Sequence, residues 1–234
     1  MAVETYKQEV DIVRTIKGAI KKNASNPITI QAGRTKIHGV TGSSMIDGNY
    51  VDIVFYTQDD ELNISLKGSR ESSLEGGGLK GLENVDPVIT SKFLSTSFRY
   101  LSRVKKLNLG DPVPEICGRI SQSDKNKLVV GVGPSYQKID YMFVVPNFIT
   151  SAYNPRRNIL TFMGSQLMTA SEYSHSKQLY YRLRATESDQ RFDPEAIQNG
   201  MPSIYGSSPS TGVSGGTIDI IDRPPTNADI VSII

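Results

Sequence analysis

Three side chains in one short stretch are of the types that handle phosphate chemistry. Asp52 lies in Val51-Asp52-Ile53-Val54, and Ser65 and Lys67 lie in Ile64-Ser65-Leu66-Lys67, with twelve residues between Asp52 and Ser65. A carboxylate can hold a hard cation or take a proton, and an ammonium can offset charge that builds on a phosphate. A hairpin would bring them together. Val51, Ile53 and Phe55 alternate with Asp52, Val54 and Tyr56, and Leu62, Ile64 and Leu66 alternate with Asn63, Ser65 and Lys67. Period two is the signature of a strand with one face per set. The link Thr57-Gln58-Asp59-Asp60-Glu61 is polar and turn-prone, as a hairpin needs. Pairing the two runs sets Asp52 near Ser65 and Lys67. A surface hairpin carrying ordinary charges has the same pattern.

Residues 3 to 22 precede that hairpin in the chain. Val3, Tyr6, Val10, Val13, Ile16 and Ile20 recur at three- and four-residue steps, which predicts an amphipathic helix. Lys21 and Lys22 suit its C-terminal dipole, and Asn23 to Pro27 stops it. Glu9 borders the apolar stripe, where it either points into a site or is solvated. Residues 28 to 40 predict a short strand and an irregular segment. Gly39, Gly42 and Gly48 with Ser43 and Ser44 predict a loop that also holds Asp47, five residues before Asp52. The two histidines, His38 and His175, are far apart in sequence and have no metal-ligand spacing, so both read as structural or surface residues.

After Lys67 comes a glycine-rich run to Gly81 with Arg70 and Lys80. Its amides can approach a phosphate closely because glycine has no side chain, although the Gly-Lys-Ser/Thr ending of a Walker loop is missing. A flexible linker has the same composition. Residues 86 to 108 predict a second long helix, capped by Asp86 with Pro87 in its first position, and Arg99 and Arg103 give it a basic end. Residues 127 to 132 and 139 to 149 predict strands, and Tyr153-Asn154-Pro155-Arg156-Arg157 a basic turn. Gln178 to Arg184 alternates as a strand with Arg182 and Arg184 on one face, a pattern shared by nucleic-acid contacts and exposed sheet edges.

The domain division follows from composition. Residues 1 to 187 form the folded domain and 188 to 234 an extended, acidic, Gly/Ser/Pro-rich arm whose apolar pieces at 218 to 221 and 230 to 234 can dock on this chain or on a neighbour. The arm has six acids and two arginines, so the net +2 of the 234 residues conceals about +6 on the rest, a balance that suits a polyanionic partner. One cysteine, Cys117, excludes an intrachain disulfide and a cysteine metal cluster. With no secretion signal and no run near the roughly 18 apolar residues of a membrane span, the expectation is a soluble cytoplasmic protein without a membrane partner.

Helix, strand, strand with Asp52, strand ending in Lys67, helix, strand: this order resembles the core of the PD-(D/E)XK nuclease superfamily, the restriction-endonuclease-like fold. The resemblance is carried by Val51-Asp52-Ile53-Val54 and Ile64-Ser65-Leu66-Lys67 and covers roughly residues 3 to 150. It implies an α/β (α+β) fold, a central mixed sheet flanked by helices. It implies hydrolysis of DNA phosphodiesters with Mg2+ or Mn2+, Asp52 and Glu9 being the metal ligands and Lys67 acting on the nucleophilic water. Ser65 stands where the family normally has a second carboxylate, a departure that bears directly on catalysis. The Ser-Leu-Lys variant followed by glycines is similar to versions in bacteriophage proteins, which implies work in the host cytoplasm. Arg70, Lys80, Arg99, Arg103, Arg182 and Arg184 are the candidate DNA contacts. The alternatives are a nuclease-fold protein that binds nucleic acid without cutting, and a phage assembly protein that forms homo-oligomers or captures partners through its arm.

Overall fold

In the computed structural model the first helix, α1 (Ala2–Lys22), buries Ile12, Val13, Ile16, Ala19 and Ile20; Val13, Ile16 and Ile20 belong to the stripe that periodicity predicts, whereas Tyr6 is exposed and Ile12 and Ala19 take the buried face in addition. The structure describes residues 2–46, 51–68, 86–130, 138–185 and 216–233. The strands are β1 (Ile28–Ala32), β2 (Thr35–Met45), β3 (Ile53–Thr57), β4 (Glu61–Gly68), β5 (Ile116–Arg119), β6 (Tyr141–Val145), β7 (Thr150–Asn154), β8 (Ile159–Met163), β9 (Gln166–Thr169), β10 (Tyr180–Ala185), β11 (Gly216–Ile221) and β12 (Asp229–Val231). The other helices are α2 (Pro87–Arg99), α3 (Gln122–Val130) and α4 (Ala170–Ser176), and a π-helical segment, Tyr100–Val104, follows α2. This is an α+β fold. The described residues fall into two compact units, one of residues 2–46, 51–68, 129–130 and 138–173, the other of residues 86–128, 174–185 and 216–233.

The first unit is built on an eight-stranded mixed sheet in the order β7-β8-β1-β2-β3-β4-β6-β9. β1 runs parallel to β8 and β4 parallel to β6; the other neighbours are antiparallel. The expected hairpin is β3–β4, with Ile53 opposite Ile64 and Phe55 opposite Leu62. Its inward set, Ile53, Phe55, Ile64 and Leu66, joins the α1 stripe and Phe143 and Phe162 in one core. Each such side chain contributes about 1.5–3 kcal/mol when fully buried.

Two readings of the local sequence are corrected here. The glycine-bearing segment after residue 34 is no loop: β2 runs through Gly39 and Gly42, where register shifts mark bulges. What makes it a strand is the two-residue turn before it, in which Gly33 takes φ +62° and closes Ala32 onto Thr35. Residues 127 to 130 end a helix and do not form a strand. Ser121 Oγ accepts from the Asp124 amide at 3.2 Å and donates to the Asp124 carboxylate, a reciprocal cap that starts α3 well ahead of its β-branched end. Asp86 caps α2 as expected, accepting from the Ile89 amide at 3.0 Å, but the regular helix ends at Arg99.

The second unit has a four-stranded sheet, β11-β10-β5-β12. The apolar pieces at 218 to 221 and 230 to 231 are strands of this chain's own sheet. Ile218 pairs with Leu183 on β10, and Ile230 lies beside Cys117 on β5. Phe93 stacks on Tyr181 with centroids 5.3 Å apart in its core, and Cys117 is buried.

Candidate functional site

β3 begins one residue after Asp52, so the Asp52 side chain occupies the end of the β3–β4 ladder. The Asp52 amide donates to the Ile64 carbonyl at 3.0 Å and its carbonyl accepts from the Ile46 amide at 3.1 Å, which fixes the residue between β2 and β4. Its carboxylate Oδ2 accepts from the Leu66 amide and, at 3.3 Å, from Ser65 Oγ. Ser65 is buried, with 2% of its surface exposed, and its hydroxyl serves to orient the carboxylate. Lys67 follows two residues on, on the same face of β4, opposite Val144 of β6 and half-buried. The hairpin thus brings Asp52 to Ser65, with Lys67 on Ser65's face, as the alternation predicts.

Glu9 arrives from α1. The neighbouring Gln8 donates Nε2–H to the Pro146 carbonyl at 3.2 Å, just beyond β6, and so ties the first turns of α1 to the end of the sheet where β4 and β6 finish. Glu9 is half-buried there. Burial, and then the negative charge of Asp52, push its carboxyl from 4.5 up to about 7. Two acids held close enough to oppose each other's ionisation form a donor set that a hard divalent cation favours. Mg2+ is commonly held by one or two carboxylates, with water and substrate phosphate completing its shell. Carboxylate oxygens such as those of Asp52 and Glu9 are of the chemical type that Mg2+ or Mn2+ takes as ligands. No cluster of three or more His, Cys, Asp or Glu side chains able to hold a metal occurs among the described residues. Asp47 lies outside them.

The remaining candidates are dispersed. Arg99 and Arg103 are exposed at the end of α2 and in the π-helical segment. Arg182 is only 15% exposed and contacts Glu115 at 3.5 Å, so its charge is matched inside its own sheet. Arg184 lies on β10 opposite Thr217. Arg70 and Lys80 fall outside the described residues. His38 bonds Thr29 Oγ1 at 3.2 Å and His175 contacts Ser174 Oγ at 3.3 Å. The Leu66 amide is the participant that sequence reasoning missed. It is a backbone group, and only the register of β4 against β3 reveals it.

Comparisons with protein-family models, with curated proteins and with solved structures found no match. No described helix is long and apolar enough to cross a membrane.

Proposed function

We propose that this chain is a metal-dependent nuclease that hydrolyses DNA phosphodiesters at the β3–β4 hairpin. The observation that supports this reading best is the Asp52 carboxylate, fixed by the Leu66 amide and Ser65 Oγ, with Lys67 on the Ser65 face of β4. Glu9, coupled to Asp52, adds the second acid. The order of elements agrees: the antiparallel run β2-β3-β4 is followed by a crossover to β6 parallel to β4. Asp52 and Glu9 would hold the Mg2+ or Mn2+ ion. When bound, that ion supplies positive charge against the phosphate and makes nearby water more acidic. Ser65 and the Leu66 amide keep the Asp52 carboxylate in one orientation, so no reorganisation is required during the reaction. Lys67 offers an ammonium to the charge that accumulates on the phosphate and a proton donor to the departing oxygen.

A second reading, a nuclease fold that binds DNA without cutting it, is favoured by one observation. Ser65 is a neutral hydroxyl already used on Asp52, which leaves two acids in the described site. The assembly reading has less to draw on, because the apolar ends of the arm are paired within this chain.

The test is a cleavage assay on supercoiled, linear and single-stranded DNA with Mg2+ or Mn2+, run beside Lys67→Ala. Cutting that vanishes in the variant supports the nuclease. A wild-type chain inert on every form overturns it, and retained DNA binding then selects the second reading.

A further inference from the structure

Apart from the site, the most uneven distribution of charge lies on the other half of the eight-stranded sheet. Residues 28–45 and 150–163, which form β1, β2, β7 and β8, carry Arg34, Lys36, Arg156 and Arg157 and neither aspartate nor glutamate. The register places Ala152, Thr161, Gln31 and Lys36 in one row across these four strands. Ile30, Ile37, Leu160 and Phe162 point the other way, into the core. Lys36 and Arg156 are exposed, and neither joins an ion pair among the described residues. An open cleft of about 670 Å³ at Arg156 is lined also by Ala152, Tyr153, Asn154, Thr161 and Met163.

Topology relates this face to Asp52. β8 is parallel to β1, and β1 and β3 are both antiparallel to β2, so β8 and β3 run in the same direction. The register sets the Arg156–Arg157 turn just before β8 near the level of Thr57, so that Asp52 lies further along the sheet by about five residues, ~17 Å at ~3.3 Å each. Between β8 and β3 there are three strand spacings, about 14 Å laterally at ~4.8 Å each. We infer that this acid-free face carries DNA on its way to Asp52, with Lys36 and Arg156 on backbone phosphates and the Tyr153-Asn154 cleft beside them. Charge complementarity argues for this occupant: these strands and their turns carry four cations and no carboxylate of their own, and the donors Thr29, Gln31 and Thr161 suit phosphate oxygens. The inference rests on the nuclease reading, but binding and cleavage test the two separately.

The experiment measures binding of a labelled oligonucleotide, duplex, single-stranded and as RNA, by fluorescence anisotropy across a salt series in EDTA. It compares wild type, Lys36→Ala/Arg156→Ala, and the charge-matched control Lys21→Ala/Lys22→Ala on the exposed end of α1. The expected result is a salt dependence of log K shallower by about 2 for the first variant, roughly 0.9 per lost phosphate contact, with the control unchanged. Equal losses in both variants, an unchanged slope in both, or binding of RNA in preference to DNA overturns the inference. If the first variant alone loses binding while wild type cuts nothing, the face stands and the nuclease reading falls. If wild type cuts and the first variant binds and cuts as well as wild type, the reverse holds.

Discussion

The two units differ in what surrounds their least exposed carboxylates. In the second unit carboxylates meet cations: Asp222 with Lys177 at 2.9 Å, Asp229 with Lys105 at 3.1 Å, Asp86 with Lys127 at 3.4 Å and Glu115 with Arg182 at 3.5 Å. In the first, the ion pairs of Asp11 with Arg14 at 3.7 Å and of Asp140 with Lys138 at 4.0 Å are longer, and the carboxyl of the half-buried Glu9 is raised by burial first and by the charge of Asp52 second. Burying a charge is costly unless it is paired, and a like-charge pair adds to the cost. Such an arrangement is a cost to folding, and under the proposed nuclease reading it is the one the chemistry requires. The contrast is testable. Substitutions among the matched charges should cost stability, and substitutions in the acid pair should cost activity while sparing or raising stability.

The largest effect is expected at Asp52. Asp52→Asn keeps an oxygen that can accept from the Leu66 amide but removes the charge. Cleavage should fall by about 10³-fold or more, by analogy with the loss of a preorganised electrostatic group, while the melting temperature is held or increases. An Asn variant that unfolds would instead give Asp52 a structural role, and one that cuts normally would remove it from the site.

Arg182→Ala should do the reverse. It leaves Glu115, 22% exposed, without the cation at 3.5 Å, and it strips an alkyl stem from the middle of the small sheet. A loss of about 2 kcal/mol in chemical denaturation is expected, with cleavage by the folded fraction unchanged. A drop in DNA affinity greater than the loss of folded protein would return Arg182 to the nucleic-acid surface that its alternation with tyrosine suggested. Lys177→Ala belongs to the same class with a smaller effect. Its side chain is 42% exposed, so screening limits the loss to about 1 kcal/mol, although Asp222 is only 10% exposed. If Lys177→Ala is neutral, the matched charges of the second unit contribute less than their geometry implies.

The sequence disclosed the parts of this arrangement that are local. Period two gave β3 and β4 and placed Asp52 against Ser65, because a hairpin has a short range and an alternating core face. Asp86 and Pro87 announced α2, because a cap acts within one turn. Glycine misled at β2, where Gly39 and Gly42 sit in bulges and do not break the strand. The Leu128-Val129-Val130 run misled at α3, because the Ser121–Asp124 cap that sets its conformation lies several residues upstream. The small sheet was out of reach for a different reason. β5 pairs with β10 more than sixty residues later and with β12 in parallel, and no periodicity within either segment reports a partner that far away. The pairing of Arg182 with Glu115 was hidden for the same cause.

The smallest predicted effect discriminates best, because its sign is unusual. Burial and the charge of Asp52 push the Glu9 carboxyl from its ordinary 4.5 up to about 7 in the folded chain, so between those values the folded state holds more of the proton than the unfolded state does. Stability therefore falls as pH rises through that window, opposite to a salt-bridged carboxylate. Glu9→Gln is neutral at every pH. In metal-free buffer it should melt with wild type below pH 4.5 and become the more stable of the two as pH passes 7. The gap should reach about 1 kcal/mol after discounting for solvent near a half-buried group. Adding Asp52→Asn to wild type should narrow the gap without closing it, because burial is the larger cause and Asp52 the smaller. Mg2+ added at pH 8 should raise the melting temperature of wild type and leave that of Glu9→Gln nearly unmoved, since only the former presents two carboxylates. Coincident curves for the two proteins across the whole range would mean that Glu9 and Asp52 do not sense each other. The contrast between the two units would then rest on Asp52 alone.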